Sequence, residues 1–567
     1  MSQSELPAWA EQLRDRYLAR ESSMFLLYGN IRDLQPWRTP EGIEWVPIQV
    51  YLQRFLARTR DVIAYYNVSQ GLQCPDRGHE QRLRLVVGSQ RALRGAADMQ
   101  NLPRSPLDAI AAIEDLITSN SQSSGVVVDY FEMIAPQGDV SFMTADDRAC
   151  LVSMMRWSSD PAFLATDNLV ILLTEHLSDV SRRMLASPQL VSIQVPFPLE
   201  GLRGRFIEQQ AEPAILEGIG ADALAKHTAG LSLLQIRSIL RSASQTGKPI
   251  DFRAVTRRKK TIIEQECHGL VEFVDPGHDF THVGGLERIK ADLMRVADAV
   301  KAGHVNRVPM GMIFVGPMGT GKTYVAEAFA AESGLTCLKF KNFRDKWVGS
   351  TEGNLEKVLD LVEALGYVLL IIDEADRGLS SGDNDGGTSS RVIARLKEFL
   401  SDTSHRGRVV VLMMTNRPDK LDSDLKRPGR FDFKIPFFFP ETADERRLIL
   451  EALARKNKVQ LAEGVTYQTA ADVTEGYSSA EMEAVLIASM NLCAEAERVE
   501  VSQSDLDQAA ADVVPSRDTR MLDYMEMLAV FECSARRMLP DHYREMETSE
   551  VLERLDVLRS QLGRRVM

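Results

Sequence analysis

Three glycines, a lysine and two threonines share one eight-residue stretch, GPMGTGKT at 316–323, directly after the apolar run MGMIFV. A predicted strand, this loop and the helical pattern YVAEAFAAESG form the arrangement that holds a nucleoside triphosphate. Because glycine lacks a Cβ atom, successive backbone N–H groups can turn towards phosphate oxygens, with the positive end of the helix dipole behind them. We expect Lys322 to reach the β- and γ-phosphates and the Thr323 hydroxyl to ligate Mg²⁺. The predicted phosphate-binding residues are Gly316, Pro317, Met318, Gly319, Thr320, Gly321, Lys322, Thr323 and Tyr324.

Acidic and amide side chains end two further apolar runs. YVLLIIDEAD (367–376) predicts a buried strand that ends in Asp373 and Glu374, and VVVLMMTN (409–416) predicts another that ends in Asn416. We expect Asp373 to hold Mg²⁺, partly through water, Glu374 to act as general base on the attacking water, and Asn416 to orient that water. Two alternatives stay open: the acids are only strand-end charges, or the loop binds nucleotide without hydrolysis. If the strands end at one sheet edge, the set predicts a P-loop ATPase.

Two arginines follow in LDSDLKRPGRFD, and the pattern puts Arg427 and Arg430 on a loop at the far side of this domain. Arginines there are badly placed for the phosphates of their own subunit but well placed for those of a neighbour. An arginine supplied in trans typically contributes about 10³–10⁵ in rate. The pattern therefore predicts active sites shared between subunits, and the alternative is local salt bridging.

The length, composition and net charge of the chain limit the class of protein to which it can belong. The chain has 567 residues, 44% of them hydrophobic and 26% charged, so we expect a soluble protein of about three or four domains. A net charge of −13 argues against general binding to nucleic acid backbones. The six cysteines are scattered without a C-x-x-C pair, and no apolar run approaches the length of about 20 residues that crosses a bilayer. The N-terminus does not resemble a signal peptide, so we expect a cytoplasmic protein that is not attached to a membrane.

A weak internal repeat suggests two copies of one α/β unit with a helical lid. The segment 168–208 can be laid beside 409–450, because both run from an apolar strand ending in Thr to a strand that leaves through Pro-Phe. TAGLSLLQIRSIL (228–240) likewise resembles TEGYSSAEMEAVL (474–486). The alternative is chance similarity between α/β proteins.

These patterns predict five parts of the chain. They are a degenerate α/β domain with its lid (1–250), a linker helix and loop (251–274), a large α/β ATPase domain (275–441), a helical lid (442–513) and a C-terminal helical extension (514–567). Within the first part, 67–82 reads as a surface loop. In the extension, apolar residues at helix-face spacing are expected to pack onto the lid rather than bind a partner. They are Val551, Leu552, Leu555, Leu558 and Leu562.

Seven motifs within about 272–500 resemble the AAA+ ATPases, in particular the AAA group that includes the proteasomal ATPases and the FtsH proteases. They are FTHVGGLERIK, GPMGTGKT, KWVGSTEGNL, LLIIDEAD, GGTSSRVIARL, TNRPDKLDSDLKRPGRFD and GYSSAEMEAVL. The resemblance implies that Val283 and Gly284 lie near the adenine. It also implies that Ser479 and Ala480 form the nucleotide-sensing corner of the lid, although the family usually has Gly where this chain has Ser479.

The same resemblance implies a ring, usually a hexamer, with an axial pore. Lys346, Trp347 and Val348 match the pore loop that grips an extended polypeptide, and Trp347 takes the place of its aromatic residue. The alternative is that Trp347 is a packing residue. SSGDNDGGTSS (380–390) resembles a second pore loop.

The whole chain resembles a narrower set of AAA proteins from bacteria and algal chloroplasts, in which a degenerate ATPase-like domain precedes an active one. KKTIIEQECHGLVEFVDP and TAGLSLLQIRSIL carry that likeness. In the first domain FLLYGNIRDL lacks the Gly-Lys-Thr sequence, and VVVDYF keeps only Asp129 of the acidic pair. The resemblance implies that this domain binds no nucleotide productively and serves as a scaffold or a recruitment platform.

The leading hypothesis is a ring ATPase that hydrolyses ATP with Mg²⁺ and remodels, unfolds or disassembles a protein partner. No H-E-x-x-H motif is present, so any proteolysis would need another protein. One alternative is an ATP-gated assembly chaperone or switch that docks and releases a partner without threading. Another is a nucleic acid loader, against which the acidic balance counts.

Overall fold

The structure is a computed structural model that describes residues 6–94, 101–138, 143–187, 189–216, 220–246, 250, 252–267, 270–340, 351–378, 388–427, 429–515 and 518–563. Its internal contacts divide the chain into two compact units, Met1–Ile262 and Ile263–Met567. Each unit has its own central sheet and its own apolar core.

The strands of the first unit are β1 (Met24–Gly29), β2 (Leu34–Thr39), β3 (Gly42–Pro47), β4 (Val62–Asn67), β5 (Gly71–Gln73), β6 (Ser124–Val128), β7 (Leu169–Leu173) and β8 (Leu190–Val195). Among the described residues, six of them form a sheet in the order β5-β4-β6-β7-β1-β8, which is parallel except for the edge strand β5. Its inner strands are continuous apolar runs such as LVILL in β7, which is typical of a parallel sheet covered by helices on both faces. β2 and β3 form a separate hairpin directly after β1.

The helices of the first unit are α1 (Ala8–Leu18), α2 (Ile48–Leu56), α3 (Arg77–Leu93), α4 (Pro106–Ile117), α5 (Ala145–Trp157), α6 (Pro161–Leu164), α7 (Arg182–Leu185), α8 (Glu200–Gln210), α9 (Ala221–His227), α10 (Leu233–Thr246) and α11 (Phe252–Glu266), in which the division falls. Side chains alternate across β1, so Met24 and Leu26 join the core under α3–α5 while Phe25 and Leu27 join the core under α1 and α2. The prediction of a loop over 67–82 is wrong. That segment contains β5 and the start of α3, where the Asp76 carboxylate caps the helix by accepting from two backbone N–H groups.

The strands of the second unit are β9 (Val271–Val274), β10 (Gly311–Val315), β11 (Thr336–Phe340), β12 (Val368–Ile372), β13 (Val409–Thr415) and β14 (Phe431–Pro436). In the described part of the unit they form a sheet in the order β14-β10-β13-β12-β11-β9. Only β9 runs antiparallel to its neighbour. The strand β9 was missed in the sequence, where its residues were part of the predicted linker.

The helices of the second unit are α12 (Glu287–Lys301), α13 (Lys322–Ser333), α14 (Thr351–Leu365), α15 (Ala375–Gly378), α16 (Thr388–Ser401), α17 (Ala443–Asn457), α18 (Gln468–Val473), α19 (Ser479–Glu495), α20 (Gln503–Asp512), α21 (Thr519–Glu532), α22 (Asp541–Arg544) and α23 (Thr548–Leu562). The helices α17–α20 enclose a separate apolar cluster and form the lid. α13 begins directly after the glycine-rich loop, so that the loop connects β10 to this helix.

The C-terminal helices pack on the sheet domain. The prediction that they pack is therefore confirmed, but the prediction that they pack on the lid is wrong. Val551, Leu555 and Leu562 of α23 are buried against α21, whereas Leu552 is exposed. α21 in turn contacts β14 and β10. The apolar periodicity identified the buried face of α23 correctly, but periodicity alone does not specify what that face covers.

The two sheets confirm the predicted repeat. The order β5-β4-β6-β7-β1-β8 matches β9-β11-β12-β13-β10-β14 strand for strand, including the antiparallel edge. The lids match as well: Arg203 donates from Nε to the Ala225 carbonyl at 2.9 Å, as Arg446 donates to the Ala471 carbonyl at 2.7 Å. The chain is therefore an α/β protein in which a Rossmann-like unit with a helical domain precedes a second α/β unit with its own lid. None of the helices in the described ranges is long and apolar enough to span a bilayer.

Candidate active site

One cleft of about 950 Å³ lies in the second unit at the carboxyl ends of β10, β12 and β13, beneath the lid helices α17 and α19. The structure brings most of the predicted site residues to this cleft. Those that line it are Val283, Gly284, Met318, Gly319, Thr320, Gly321, Lys322, Thr323, Tyr324, Asp373, Glu374, Asn416, Ser479 and Ala480. Gly316 and Pro317 are not among the lining residues, although their carbonyl groups hold the lysine of the loop.

The glycines of the loop permit close approach of other parts of the backbone. Gly316 has φ +151°, and a Cβ atom there would lie 2.1 Å from the Phe437 carbonyl oxygen. Gly319 has φ +77°, and its Cβ atom would lie 2.8 Å from the Ser478 Oγ atom of the lid. Any larger residue at either position would push β14 or the lid away from the loop.

Lys322 is held within the loop by its own backbone. Its Nζ atom donates to the carbonyl oxygens of Gly316, at 2.9 Å, and Pro317, at 2.6 Å. Burial lowers the pKa of Lys322 to about 8, while the nearby Asp373 and Asp376 carboxylates act in the opposite direction. The Lys322 ammonium group lies at the start of α13 and is held by neutral carbonyl groups. It is therefore well placed to exchange these carbonyl oxygens for phosphate oxygens.

Oxygen ligands suited to Mg²⁺ meet beside the lysine. The Thr323 Oγ1 atom donates to Asp373 Oδ2 at 3.4 Å. The structure groups no three His, Cys, Asp or Glu side chains around a possible metal position in the ranges it describes. A hydroxyl and one carboxylate without a full protein cage fit Mg²⁺, which commonly keeps several waters and takes its other ligands from substrate phosphates.

Glu374 lies in the left-handed backbone region, with φ +47°. Its backbone N–H donates to Asp373 Oδ1 at 2.9 Å. A non-glycine residue in this region is uncommon and is enriched at functional sites. The turn directs the exposed Glu374 side chain away from the strand and into the lining of the cleft.

Asn416 carries an unsatisfied amide oxygen. Its Oδ1 atom is buried and has no hydrogen-bond partner among the described residues. The preceding Thr415 hydroxyl donates to Asp376 at 2.7 Å, which fixes the end of β13. A buried polar atom without a partner is costly unless a ligand or a water completes it. This orphaned acceptor fits a site in which a water donates to it, as an attacking water beside a phosphate group would.

The lid closes the other end of the cleft. A Cβ atom on Gly284 would lie 2.3 Å from the Leu448 carbonyl oxygen, so only glycine allows this segment to approach α17. Ala480 donates from its backbone N–H to the Gly319 carbonyl at 3.3 Å, so the N-terminus of α19 contacts the phosphate loop directly. Val283 and Gly284 therefore share a wall of the cleft with the lid.

The predicted arginines lie outside the cleft. Arg427 is 72% exposed and pairs with Asp424 at 3.0 Å. Arg430 donates to the Ser401 hydroxyl at 3.0 Å and to the Asp424 carbonyl at 2.9 Å. Neither residue lines the cleft of its own unit. Lys346, Trp347 and Val348, and most of the predicted second pore loop, lie outside the described residues.

Comparison with protein families decides the assignment. Residues 312–439 match the model of the "ATPase family associated with various cellular activities (AAA)". Residues 2–196 match the "AAA+ chaperone, N-terminal Rossmann-like domain", and 202–268 match the "AAA+ chaperone, second helical domain". The chain is an AAA+ protein.

Three curated relatives show the range of proteins to which this AAA+ protein is similar. An uncharacterized AAA domain-containing protein ycf46 of Trieres chinensis is 29% identical over 52% of this chain and 60% of its own length. The ATP-dependent zinc metalloprotease FtsH 1 of Sphaerobacter thermophilus is 28% identical over 65% of this chain and 59% of its own. A cell division cycle protein 48 homolog of Archaeoglobus fulgidus is 29% identical over 51% of this chain and 40% of its own. The matches thus span about 60% or less of the length of each of these relatives.

The first unit of this AAA+ protein has a counterpart for each strand-end residue of the site. Asp129 follows β6 as Asp373 follows β12, and the next residue, Tyr130, has φ +54° as Glu374 has φ +47°. Glu175 follows Thr174 at the end of β7, where the second unit has Asn416.

An arginine connects these counterparts in the first unit. The Arg32 Nη1 atom donates to both oxygens of Asp129, at 2.8 Å and 2.9 Å, and its Nε atom donates to Glu175 at 3.2 Å. The guanidinium carbon also lies 4.0 Å from the centre of the Tyr130 ring. A protein cation therefore lies between the two residues that correspond to Asp373 and Asn416.

In the same unit, a carboxylate makes the contact between the loop after β1 and the lid. Asp33 is buried and accepts from the backbone N–H groups of Leu233, at 2.8 Å, and Leu234, at 3.0 Å. These groups form the N-terminus of α10, the counterpart of α19. Burial raises the pKa of Asp33, and its hydrogen bonds from Leu233, Asn30 and Leu234 oppose the rise. The loop that replaces GPMGTGKT thus binds its own lid through a side chain.

Sequence reasoning missed further residues that line the cleft of the second unit or pack against its lining. Lys339 of β11 lies with its Nζ atom 3.0 Å from Asp373 Oδ2. His278 stacks on Tyr324 with ring centres 3.7 Å apart, and Lys456 of the lid lies 5.4 Å from the same ring. A lysine inside the mostly buried strand TCLKF was the one available signal for the first of these. The others lie far from the motif in sequence, so no local pattern identifies them.

Proposed function

We propose that the second unit hydrolyses ATP with Mg²⁺ in this cleft. The carrying observation is the unsatisfied Asn416 amide oxygen in a cleft that also contains Lys322, Thr323, Asp373 and Glu374. A cleft built only to bind nucleotide needs the loop and the lid, but it does not need an acid and an amide at the strand ends beside them.

Each residue of the cleft has a role in this proposal. Lys322 and the loop N–H groups bind phosphate oxygens, and Thr323 and Asp373 hold Mg²⁺, which neutralises charge on the phosphates when it is bound. Asn416 orients the attacking water, and Glu374 accepts its proton as the bond to the leaving ADP oxygen breaks. Val283 and Gly284 contact the base, and Ser479 and Ala480 join the lid to the loop.

We propose that the hydrolytic site is completed by a second copy of the chain. Arg427 and Arg430 lie outside their own cleft, and Arg427 is exposed enough to reach a neighbouring subunit. An arginine that neutralises transition-state charge in trans makes hydrolysis depend on assembly. This supports a closed ring, for which a hexamer is the expected size by resemblance to the family.

We propose that the ring remodels, unfolds or disassembles a protein partner, with Lys346, Trp347 and Val348 as the gripping loop. The relatives named as an ATP-dependent metalloprotease and a cell division cycle protein support an energy-driven activity on other proteins. The alternative is an ATP-gated chaperone or switch that docks and releases a partner without threading. Trp347→Ala separates the two, because threading predicts intact ATPase activity with loss of remodelling, whereas a docking switch tolerates the change.

We propose that the first unit, with its lid, binds no nucleotide and serves as a scaffold or recruitment platform. Arg32 supports this, because it already pairs with Asp129, the counterpart of the proposed Mg²⁺ ligand Asp373. Asp33 supports it as well, because a carboxylate lies in the loop that replaces the phosphate-binding loop and joins that loop to the lid. The proposed parts are 1–250, 251–274, 275–441, 442–513 and 514–567, with β9 at the end of the second part joining the sheet of the ATPase domain. All six cysteines are free thiols, which suits a cytoplasmic protein.

The test is nucleotide binding and turnover of three full-length proteins with Mg²⁺. We expect the wild type to bind one nucleotide per chain and to release phosphate. Glu374→Gln should bind ATP and retain it, since it lacks the general base, and Lys322→Ala should bind no nucleotide in either unit. Normal turnover by Glu374→Gln contradicts the proposed base, and a second nucleotide per chain contradicts the proposal for the first unit.

A further inference from the structure

The C-terminal helix α21 touches the loop that follows Asn416 at two separate points. The first is Tyr524, a fully buried residue whose hydroxyl donates to Asp419 Oδ2 at 3.2 Å. Arg417 donates to the same carboxylate from Nε at 2.9 Å and from Nη2 at 2.7 Å. Its guanidinium carbon also lies 5.3 Å from the centre of the Tyr524 ring. Because Arg417 follows Asn416 directly, these contacts fix the backbone that carries the Asn416 amide.

The second point is Glu532, the last residue of α21, which is only 9% exposed. Its carboxylate pairs with Lys426 and, at 2.9 Å, with Lys434 of β14. Lys426 also donates to the Pro418 carbonyl at 3.0 Å. Lys426 immediately precedes Arg427, so a buried charge on α21 fixes the backbone from which that arginine extends.

Among the described residues, Arg427 has no comparable anchor for its side chain, whereas the Arg430 guanidinium donates to the Ser401 hydroxyl and the Asp424 carbonyl. In the part of the chain that the structure describes, the Arg427 side chain makes an exposed pair with Asp424, which contributes little to its position. A long side chain reaches a neighbouring phosphate reproducibly only if its backbone is fixed, and a displacement of about 1 Å can lower a rate by about 10²-fold. The Lys426–Glu532 pair holds the residue directly before Arg427.

We propose that Tyr524 and Glu532 are positioning residues for the ATPase reaction. Tyr524 acts through Asp419 and Arg417 on Asn416 of the same subunit, whereas Glu532 acts through Lys426 on the Arg427 that serves the neighbour. This inference rests on the proposed function. Under this proposal the C-terminal extension is part of the catalytic assembly. It supports the active site of its own subunit through Tyr524 and the active site of the neighbouring subunit through Glu532.

The polar contacts of α21 can be changed without removing its apolar packing. The core of the extension is formed by residues such as Met527, Leu528 and Val551, which the variants leave intact. Tyr524→Phe keeps the ring, and Glu532→Gln keeps the shape of the side chain while removing its charge. Glu532→Asp keeps the charge and should restore most of the turnover. The matched control is Glu550→Gln on α23, whose carboxylate makes only an exposed pair with Arg554 in the described structure.

The first measurement is steady-state ATP hydrolysis by the full-length protein, together with nucleotide affinity and thermal unfolding. We expect Glu532→Gln and Tyr524→Phe to lower kcat between about 3-fold and about 100-fold. We expect KM and nucleotide affinity to change less than about 2-fold, because neither variant touches the binding cleft. Glu550→Gln should match the wild type. A parallel loss of nucleotide affinity, or an unchanged kcat in both variants, overturns the inference.

The second measurement mixes subunits and separates the two roles. Glu374→Gln subunits cannot hydrolyse ATP but present intact arginines. Adding them to Glu532→Gln subunits should raise turnover per Glu532→Gln subunit, because its intact cleft then meets a well-placed arginine. The same mixture with Tyr524→Phe should show no rise, since its fault lies in its own cleft. The reverse pattern, or no rise in either mixture, overturns the division into cis and trans roles.

The outcome also distinguishes this inference from the proposed function. A wild-type protein without turnover at any concentration contradicts the proposed ATPase itself. A wild type that turns over, with variants indistinguishable from it, contradicts only the positioning roles of Tyr524 and Glu532.

Discussion

The Arg32 guanidinium of the first unit donates from one nitrogen to both carboxylate oxygens of Asp129, at 2.8 Å and 2.9 Å. Asp129 is the counterpart of Asp373, the proposed Mg²⁺ ligand of the second unit. The neighbouring Asp33 carboxylate binds the N-terminus of the lid helix α10, where the second unit joins its lid to the phosphate loop. An arginine of the protein thus pairs with the counterpart of the metal ligand, and the adjacent aspartate joins the loop to the lid through its side chain.

Asp33→Ala should loosen the lid of the first unit. The change removes the acceptor of two buried N–H groups, and leaving such groups unsatisfied costs about 1–3 kcal/mol each. We expect faster hydrogen exchange across α10 in the full-length protein, and no recovery when nucleotide is added. Asp33→Asn keeps one acceptor oxygen and should show a smaller change.

The control for this experiment is the exchange of α19 in the same samples, which should stay at the wild-type rate. If α10 in Asp33→Ala exchanges as slowly as in the wild type, Asp33 does not hold the lid. If added ATP restores protection, the first unit binds nucleotide after all.

Lys339→Gln should reduce the Mg²⁺ requirement of nucleotide binding. The Lys339 ammonium lies 3.0 Å from the Asp373 oxygen that faces Thr323, so a metal has to compete with it. A hydrogen bond between charged groups contributes about 1.5–3 kcal/mol, so we expect the half-saturating Mg²⁺ concentration to fall by roughly 10-fold or more.

The matched control is Lys301→Gln, which removes an exposed lysine that lies 3.8 Å from Glu332. Titration of Mg²⁺ at fixed ATP, followed by binding of a fluorescent nucleotide, gives the requirement of each protein. A rise in the requirement for Lys339→Gln indicates that the lysine holds phosphate rather than competing with the metal.

Asp360→Asn should stabilise the second unit, and more so at higher pH. Burial raises the pKa of Asp360 to about 7, with Glu356 and Glu363 adding to the rise and Arg395 opposing it. A carboxyl group with a raised native pKa favours the folded state at low pH, and that contribution is lost as the pH rises from 3.8 towards 7. The neutral amide avoids the loss. We expect the advantage of the variant in unfolding free energy to grow by roughly 2 kcal/mol between about pH 5 and about pH 8.

Chemical denaturation at the two pH values measures this difference. Asp556→Asn on α23 serves as the control, because its carboxyl group is 77% exposed and should give no pH-dependent change. An advantage that is equal at both pH values, or larger at the lower one, contradicts the raised pKa of Asp360.

The sequence predicted the parts of the site that are encoded by local chemistry. The glycines around Lys322 and the acids after the run YVLLII belong to a strand–loop–helix arrangement whose geometry is set by a few neighbouring residues. Short sequence motifs are therefore enough to predict it. The internal repeat was detectable because both copies keep an apolar strand that ends in Thr and a later strand that leaves through Pro-Phe. The structure adds the shared strand order and a matching buried arginine, Arg203 and Arg446.

The sequence did not reveal contacts between distant elements. Lys339 reaches Asp373 from the adjacent strand, and Glu532 reaches Lys426 over a separation of 106 positions. Apolar periodicity identified the buried face of α23, but its partner is set by the shape of the sheet domain. Arg32 and Asp33 looked like ordinary loop residues, since only the fold brings Asp129 and α10 to them.

The most direct test of the shared ATPase site mixes two inactive proteins. One carries Arg427→Ala and Arg430→Ala and keeps an intact cleft, and the other carries Glu374→Gln and keeps intact arginines. We predict that each protein alone hydrolyses ATP at least about 10³-fold more slowly than the wild type. Mixtures of the two should recover measurable turnover, with a maximum at intermediate ratios. Mixtures that stay at the sum of their parts at every ratio, with assembly confirmed by size, contradict a site formed between two copies of the chain.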